Sequence, residues 1–181
     1  SPRLVYDLER VKENFSEFVK LFGDIKPYYA VKANPSEKIV ALLNRLGSNF
    51  DCASINEVKI CIELGINARK ISFGNTVKKS EDIQKAFKLG VKLFAFDCEE
   101  ELLKIREFAP KSNVYCRLQV YNGGAEWPLS KKFGCSSKEL EHLLIKARKI
   151  GLNPVGLSFH VGSQQLSKKL GRKQLKRHHK Y

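Results

Sequence analysis

Four short apolar stretches, "YYAVK" (28–32), "NFDC" (49–52), "KISF" (70–73) and "KLFAF" (92–96), follow one another at intervals of about twenty residues. A helix-compatible segment fills each interval. Two further strands, "VYCRLQV" (114–120) and "VGLSFH" (155–160), flank another helical pattern. A hairpin needs only a few connecting residues, whereas parallel strands need a crossover of a dozen or more. The spacing therefore predicts an α/β chain with a parallel sheet. Helices are expected at 36–46, 54–64, 80–89, 98–108 and 137–150. An opening helix carries Leu8, Val11, Phe15, Phe18, Val19 and Phe22 on one face and ends at Gly23.

The helix ends have local causes. Ser54 with Glu57, and Ser136 with Glu139, fit the S-x-x-E capping box. Ser80 is expected to cap the helix after it, where Glu81 and Asp82 suit the dipole. Gly65, Gly90 and Gly151 read as left-handed stops. Residues 121–136, "YNGGAEWPLSKKFGCS", read as a long loop of the kind that often serves as a lid. Six βα steps suggest an incomplete (β/α)8, TIM-like barrel more than an open sheet. The strands end on or near Lys32, Asp51, Asn75, Asp97, Arg117 and His160. In such barrels the active site gathers at the carboxyl ends of the strands.

At 181 residues the chain fits one domain or part of a larger one, with 43% hydrophobic and 29% charged residues. It has no apolar run long enough to span a bilayer and no charged-then-apolar opening segment. It also has no Met, so Ser1 is not expected to be the natural start. Five cysteines lack CxxC spacing, which suggests free thiols in a reducing, cytoplasmic setting. The net charge of +14 is uneven. Taking the seven basic residues of "LSKKLGRKQLKRHHKY" (166–181) from a total of 33 leaves an excess of seven over the 19 acids. Half the excess thus sits in a short tail, and the body gives little support to a nucleic-acid partner.

Each polar strand end has an ordinary reading beside a chemical one. Lys32 can be a lysine snorkelling to solvent, or a Schiff-base lysine whose neutral amine attacks an aldehyde. His160 in "SFHVGSQ" can be a satisfied core histidine, or an imidazole lying on a ring, with Gly162 and Ser163 hydrogen-bonding an anion. Asp51 can be a polar strand end or a carboxylate orienting a cation. Glu57 can be only a capping-box partner. Arg117, among apolar neighbours, implies an anion. Lys131, Lys132 and Cys135 can be a solvated loop and an incidental thiol. His178 and His179 have no third ligand beside them, so no metal site is expected.

Taken in order, "YYAVKAN", "FDCASINEV", "ISFGNTVKK", "FAFDCEEEL" and "SFHVGSQ" resemble the alanine-racemase-like (fold type III) pyridoxal-phosphate decarboxylases. That group includes ornithine, diaminopimelate and arginine decarboxylases. The resemblance runs from residue 1 to about 165, and "GGAEWPLSKKFGCS" is most similar to the ornithine or lysine/ornithine branch. It implies pyridoxal 5'-phosphate as cofactor, with Lys32 bonded to its aldehyde, His160 stacked on its ring and Ser163 on its phosphate. Asp51, Glu57 and Arg117 would form a polar network around the cofactor, and Lys132 would lie on the closing loop. It further implies decarboxylation of a small basic amino acid, ornithine first, to give putrescine for polyamine synthesis. The intact family member is a homodimer.

Three family parts have no counterpart in these residues: a later Gly-rich phosphate loop, an acid for the pyridine nitrogen, and a carboxy-terminal β domain. A domain of 1–165 is expected as a partial cofactor-binding barrel. Residues 166–181 are read as out-of-frame or truncated sequence, the alternative being a genuine basic tail for nucleic acid or an acidic surface. Six strands where eight should close leave two open edges. The chain alone is therefore expected to be marginal, aggregation-prone and a poor decarboxylase. A non-catalytic cofactor-binding barrel is the competing expectation.

Overall fold

The computed structural model describes residue 1 and residues 5–120, 125–127 and 132–165, with backbone alone at 125–127 and 163–165. Helix α1 (Leu8–Phe22) starts where the Asp7 carboxylate accepts the Arg10 N–H at 3.0 Å. It stops at Gly23, whose φ of +59° lets its N–H reach the Val19 carbonyl. The apolar stripe is present, yet no residue of α1 is buried. Phe18 and Phe22 stack at 4.5 Å while remaining 38% and 48% exposed.

Six strands form one sheet in chain order: β1 (Tyr28–Ala30), β2 (Asn49–Cys52), β3 (Ile71–Phe73), β4 (Leu93–Phe96), β5 (Asn113–Leu118) and β7 (Asn153–Phe159). The pairs β1–β2, β2–β3 and β5–β7 are parallel. Helices α2 (Glu37–Arg45), α3 (Ile55–Glu63), α4 (Ser80–Lys88), α5 (Glu99–Phe108) and α6 (Ser137–Lys149) fill the crossovers. The α/β class and the partial parallel barrel expected from the spacing are thus present. Within the segment expected to be a loop, β6 (Ala125–Trp127) pairs antiparallel with β8 (Ser163–Gln165), Ala125 opposite Gln165 and Trp127 opposite Ser163. No described helix is long and apolar enough to cross a membrane.

The chain divides into two compact units. Ser1–Asn75 and Lys79–Leu93 make the first; Thr76–Lys78 and the chain from Phe94 onward make the second. In the first, Phe50, Ile71 and Phe73 of the strands pack with Val58, Ile83 and Ala86 of the helices, all at most 2% exposed. In the second, Phe94, Phe96 and Leu118 pack with Leu102, Ile105 and Leu140. Each such side chain contributes about 1.5–3 kcal/mol of burial. Phe94, Ala95 and Phe96 are all buried, as expected where a parallel strand is covered on both faces. β5 instead alternates, with Val114, Cys116 and Leu118 buried and Asn113, Tyr115 and Arg117 half-buried.

Ser136 and Glu139 form the full reciprocal capping box, and Ser54 accepts the Glu57 N–H at 3.3 Å. Gly65, Gly90 and Gly151 end their helices at φ of +74°, +97° and +82°. Ser80 is not the cap of α4, contrary to the sequence expectation. The helix begins one residue earlier than that role needs, so extended Lys79 is the N-cap and makes no side-chain bond. Glu81 and Asp82 remain in the first turn, where their negative charge is favourable at the positive end of the helix dipole.

The short segment Thr76–Lys78 joins the second unit through a buried charge cluster. Lys78 Nζ donates to the Ala95 carbonyl at 2.6 Å and lies 2.9 Å from Glu101 Oε1. That second contact is an ion pair rather than a well-aligned hydrogen bond, since Oε1 accepts no bond of good geometry. Lys104 pairs with Glu101 Oε2 and donates to the Lys78 carbonyl at 2.6 Å.

Candidate functional site

In the first unit, β1 ends at Ala30, two residues sooner than the sequence suggests. Val31–Ala33 form a single 3-10 turn. Its tight pitch buries Val31 completely and leaves the next side chain, Lys32, exposed at the carboxyl end of the strand. The turn is held from both sides: Tyr29 hydroxyl donates to the Asn34 carbonyl at 3.1 Å, and Asn34 Oδ1 accepts the Ser36 N–H at 3.0 Å.

Asp51 lies beside Ala30 and Ser72 in the β1–β2–β3 register and is half-buried. Its carboxylate occupies the space over Gly74, where an added Cβ would stand 1.9 Å from Oδ1. Burial, and then the Asp51 charge, push the Tyr28 phenol above its usual range. Glu57 is committed locally: Oε2 accepts the Ala53 N–H at 2.8 Å and Oε1 the Ser54 hydroxyl at 3.1 Å. An exposed amine and two fixed carboxylates thus come from β1, β2 and the start of α3.

In the second unit, Arg117 sits on β5 opposite Ser158. Its guanidinium carbon is 5.1 Å from the centre of the Phe133 ring, and exposed Lys132 brings its Nζ to 5.3 Å from the same ring. Asp97, just past β4, accepts the Gly134 N–H at 2.8 Å. The next residue, Cys135, is bridged to β5 on both sides: its N–H donates to the Arg117 carbonyl and its carbonyl accepts the Gln119 N–H, each at 2.9 Å. Gly134 is required here, because φ is +99° and a Cβ would lie 2.6 Å from the Gln119 nitrogen.

His160 follows β7. Its Nδ1 accepts the Gly162 N–H at 2.9 Å, which assigns the ring proton to Nε2. Ser163 opens β8, and its side chain lies outside the described residues. Lys131, the tail 166–181 and the histidine pair His178–His179 also lie outside them.

Lys78, Glu101 and Phe133 were not legible as site residues: Lys78 and Glu101 are buried, and Phe133 gathers two cations, while Asp97, already marked as a strand end, anchors the returning segment. Nothing in "NTVKK" marked Lys78, since its partner lies 23 residues away on α5. For Asp97 the signal was its place at a strand end, and for Phe133 it was the adjacent Lys132.

In each unit, polar groups follow the carboxyl ends of parallel strands, an amine and carboxylates in the first and a guanidinium and an imidazole in the second, and in barrel-type α/β folds that end carries the small-molecule site. The chain belongs to the pyridoxal-dependent decarboxylases, matching the model of their pyridoxal binding domain over residues 8–179. It is 39% identical over 163 residues to the chloroplastic ornithine decarboxylase of Nicotiana glauca, covering 90% of this chain and 38% of that protein. It is 38% identical over 167 residues to the lysine/ornithine decarboxylase of Selenomonas ruminantium, covering 92% of this chain and 42% of that protein. Among solved structures it is similar to the arginine decarboxylase of Paramecium bursaria Chlorella virus, with a TM-score of 0.90, 32% identity, and coverage of 94% of this chain and 46% of that one. The chain thus spans about two-fifths of the curated relatives it matches.

Proposed function

We propose that this chain is the cofactor-binding part of a pyridoxal-phosphate-dependent decarboxylase of basic amino acids, with ornithine as substrate and putrescine as product in polyamine synthesis. Family membership supports the reaction class, and the names of the relatives span ornithine, lysine and arginine as substrates. Ornithine is placed first because the loop "GGAEWPLSKKFGCS" is most similar to that branch. The observation that carries the reading is Lys32: a tight turn just past β1 buries Val31 and leaves the lysine amine exposed at the carboxyl end of the strand.

The residues present fit pyridoxal phosphate. An accessible amine can take an aldehyde. Gly74 leaves room for the Asp51 carboxylate, which a larger residue would evict. The Gly162 N–H fixes the His160 tautomer and holds its ring in one orientation. Bound there, the cofactor would supply an aldehyde for amines and a ring that accepts the electron pair left when carbon dioxide departs.

Each side chain then has a task its position allows. Lys32 Nζ would hold the aldehyde carbon and carry a proton between turnovers. His160 would present its face to the ring with Nε2–H directed at an acceptor. Asp51 and Arg117 would orient polar atoms of opposite charge, and Ser163 would bind phosphate. Glu57, already tied to the start of α3, would act through the electrostatic field of a fixed carboxylate. Lys132, exposed on the returning segment, would help exclude water when a ligand is present. In the intact protein we expect a homodimer. The five free cysteines fit a reducing, cytoplasmic compartment.

The test is chemical trapping. The chain is incubated with pyridoxal phosphate, reduced with borohydride and mapped by peptide mass spectrometry. The expected result is a pyridoxyl group on Lys32 and loss of the cofactor absorbance band in Lys32→Ala. A tag on another lysine overturns the assignment. Cofactor uptake with no carbon dioxide released from ornithine, lysine or arginine, even in a longer protein, favours a non-catalytic carrier instead.

A further inference from the structure

Two candidate ligand-binding cations converge on one aromatic ring. Arg117 Cζ lies 5.1 Å and Lys132 Nζ 5.3 Å from the Phe133 centroid. Both distances fall within the roughly 6 Å over which a ring quadrupole attracts a cation. The two arrive by different routes: Arg117 projects from β5, and Lys132 precedes the ring on the returning segment.

The backbone beside the ring is fixed. Gly134 is bonded to Asp97, and Cys135 is laddered to β5 on both sides. The close approach of Gly134 to Gln119 leaves no room for a side chain at that position. Phe133 is therefore held in place by its C-terminal neighbours, whereas an exposed lysine otherwise samples many rotamers. Each of the two side chains carries a positive charge, which attracts an anionic group of a ligand.

We propose that Phe133 is a positioning residue that fixes the Arg117 and Lys132 side chains on its ring, so that an anionic group of the ligand meets two pre-oriented cations. The identity of that ligand, pyridoxal phosphate, rests on the function proposed above; the hold of the ring on the cations does not.

The experiment has two arms on the 181-residue chain. In the first, NMR reads the methylene groups next to the charges, Lys132 Cε and Arg117 Cδ, with no ligand added. Ring-current shifts at both are expected in the wild type and in Phe133→Tyr, and not in Phe133→Leu. In the second, pyridoxal phosphate is titrated by absorbance. Phe133→Leu is expected to weaken binding about threefold, Phe133→Tyr to restore it, and stepwise fluorination of the ring to weaken it progressively. A purely packing role would leave the fluorinated series flat. Methylene shifts unchanged by Phe133→Leu, or a flat fluorinated series, overturn the inference. A wild-type chain that takes up no cofactor overturns the proposed function instead, and the NMR arm alone then decides whether Phe133 fixes the cations.

Discussion

Lys78 carries its ammonium into the second unit with a side chain 0% exposed. Burial lowers its affinity for a proton, and the Glu101 charge opposes that shift. Glu101, 2% exposed, is in turn shared between Lys78 and Lys104. Removing the Glu101 carboxylate would take the nearest counter-charge from two ammonium groups, one of them fully buried, and leave the weaker pull of Asp97 on Lys78. Glu101→Gln is therefore expected to destabilise the chain by about 3 kcal/mol, because the stranded charge is worth more than the pair itself. The double variant Lys78→Met/Glu101→Leu is expected to recover most of that loss. Urea midpoints measure both, and an unchanged midpoint in Glu101→Gln would remove the cluster from any role in stability. Lys32 has the opposite environment, exposed on a one-turn helix, and its interest is chemical rather than structural.

Among the elements, β5 and the segment returning to it act together. Gly134 pins that segment with a bond to Asp97, and Cys135 extends the ladder past Arg117. Gly134→Ala imposes a positive φ on a residue with a Cβ and drives that Cβ against Gln119. The strained backbone alone costs about 1–3 kcal/mol. Hydrogen exchange should show the effect as local: protection lost at the Gln119 and Cys135 amides, and retained at the β5–β7 ladder. Uniform loss across both would mean that the segment is not a separate element. The helices follow simpler rules, which is why their boundaries were legible. Ser136 with Glu139, Ser54, and the three stop glycines act within a few residues of themselves. Ser80 misled because a good capping residue also fits the first turn.

Across the whole molecule, buried thiols set the response to alkali. A neighbouring thiol, Cys61 at 3.9 Å and Cys135 at 3.4 Å respectively, and then burial hold Cys52 and Cys116 far above the usual 9.0. The folded chain keeps these protons, while the unfolded chain releases them above about pH 9. The same contact lowers the proton affinity of Cys61 and Cys135, so each pair retains one proton in the folded chain, and the stability tied to that proton is lost as the pH climbs above about 9. Lys78, whose proton affinity is lowered by folding, pulls in the opposite direction as the pH approaches 10.5. Urea midpoints from pH 7.5 to 10.5 should decline less steeply in Cys116→Ala than in the wild type. Identical slopes would show that Cys116 ionises as easily folded as unfolded. β1 and β7 lie at the two ends of the strand order, so both sheet edges are open among the described residues. Val155 on β7 is 53% exposed.

The sequence alone determined the order of the helices and of the six strands of the main sheet, the parallel class of that sheet and the position of Lys32 near a strand end, but not the small β6–β8 pair. These rest on spacing, caps and glycines, whose physics is local and repeats along the chain. Only tertiary structure decided which charges are buried, which residue staples the returning segment and which ring receives the cations. Lys78 with Glu101, Asp97 with Gly134, and Arg117 with Phe133 are joined across 23, 37 and 16 positions respectively. Such contacts follow from how the strands and helices pack in space, and no short-range pattern in the residues encodes them.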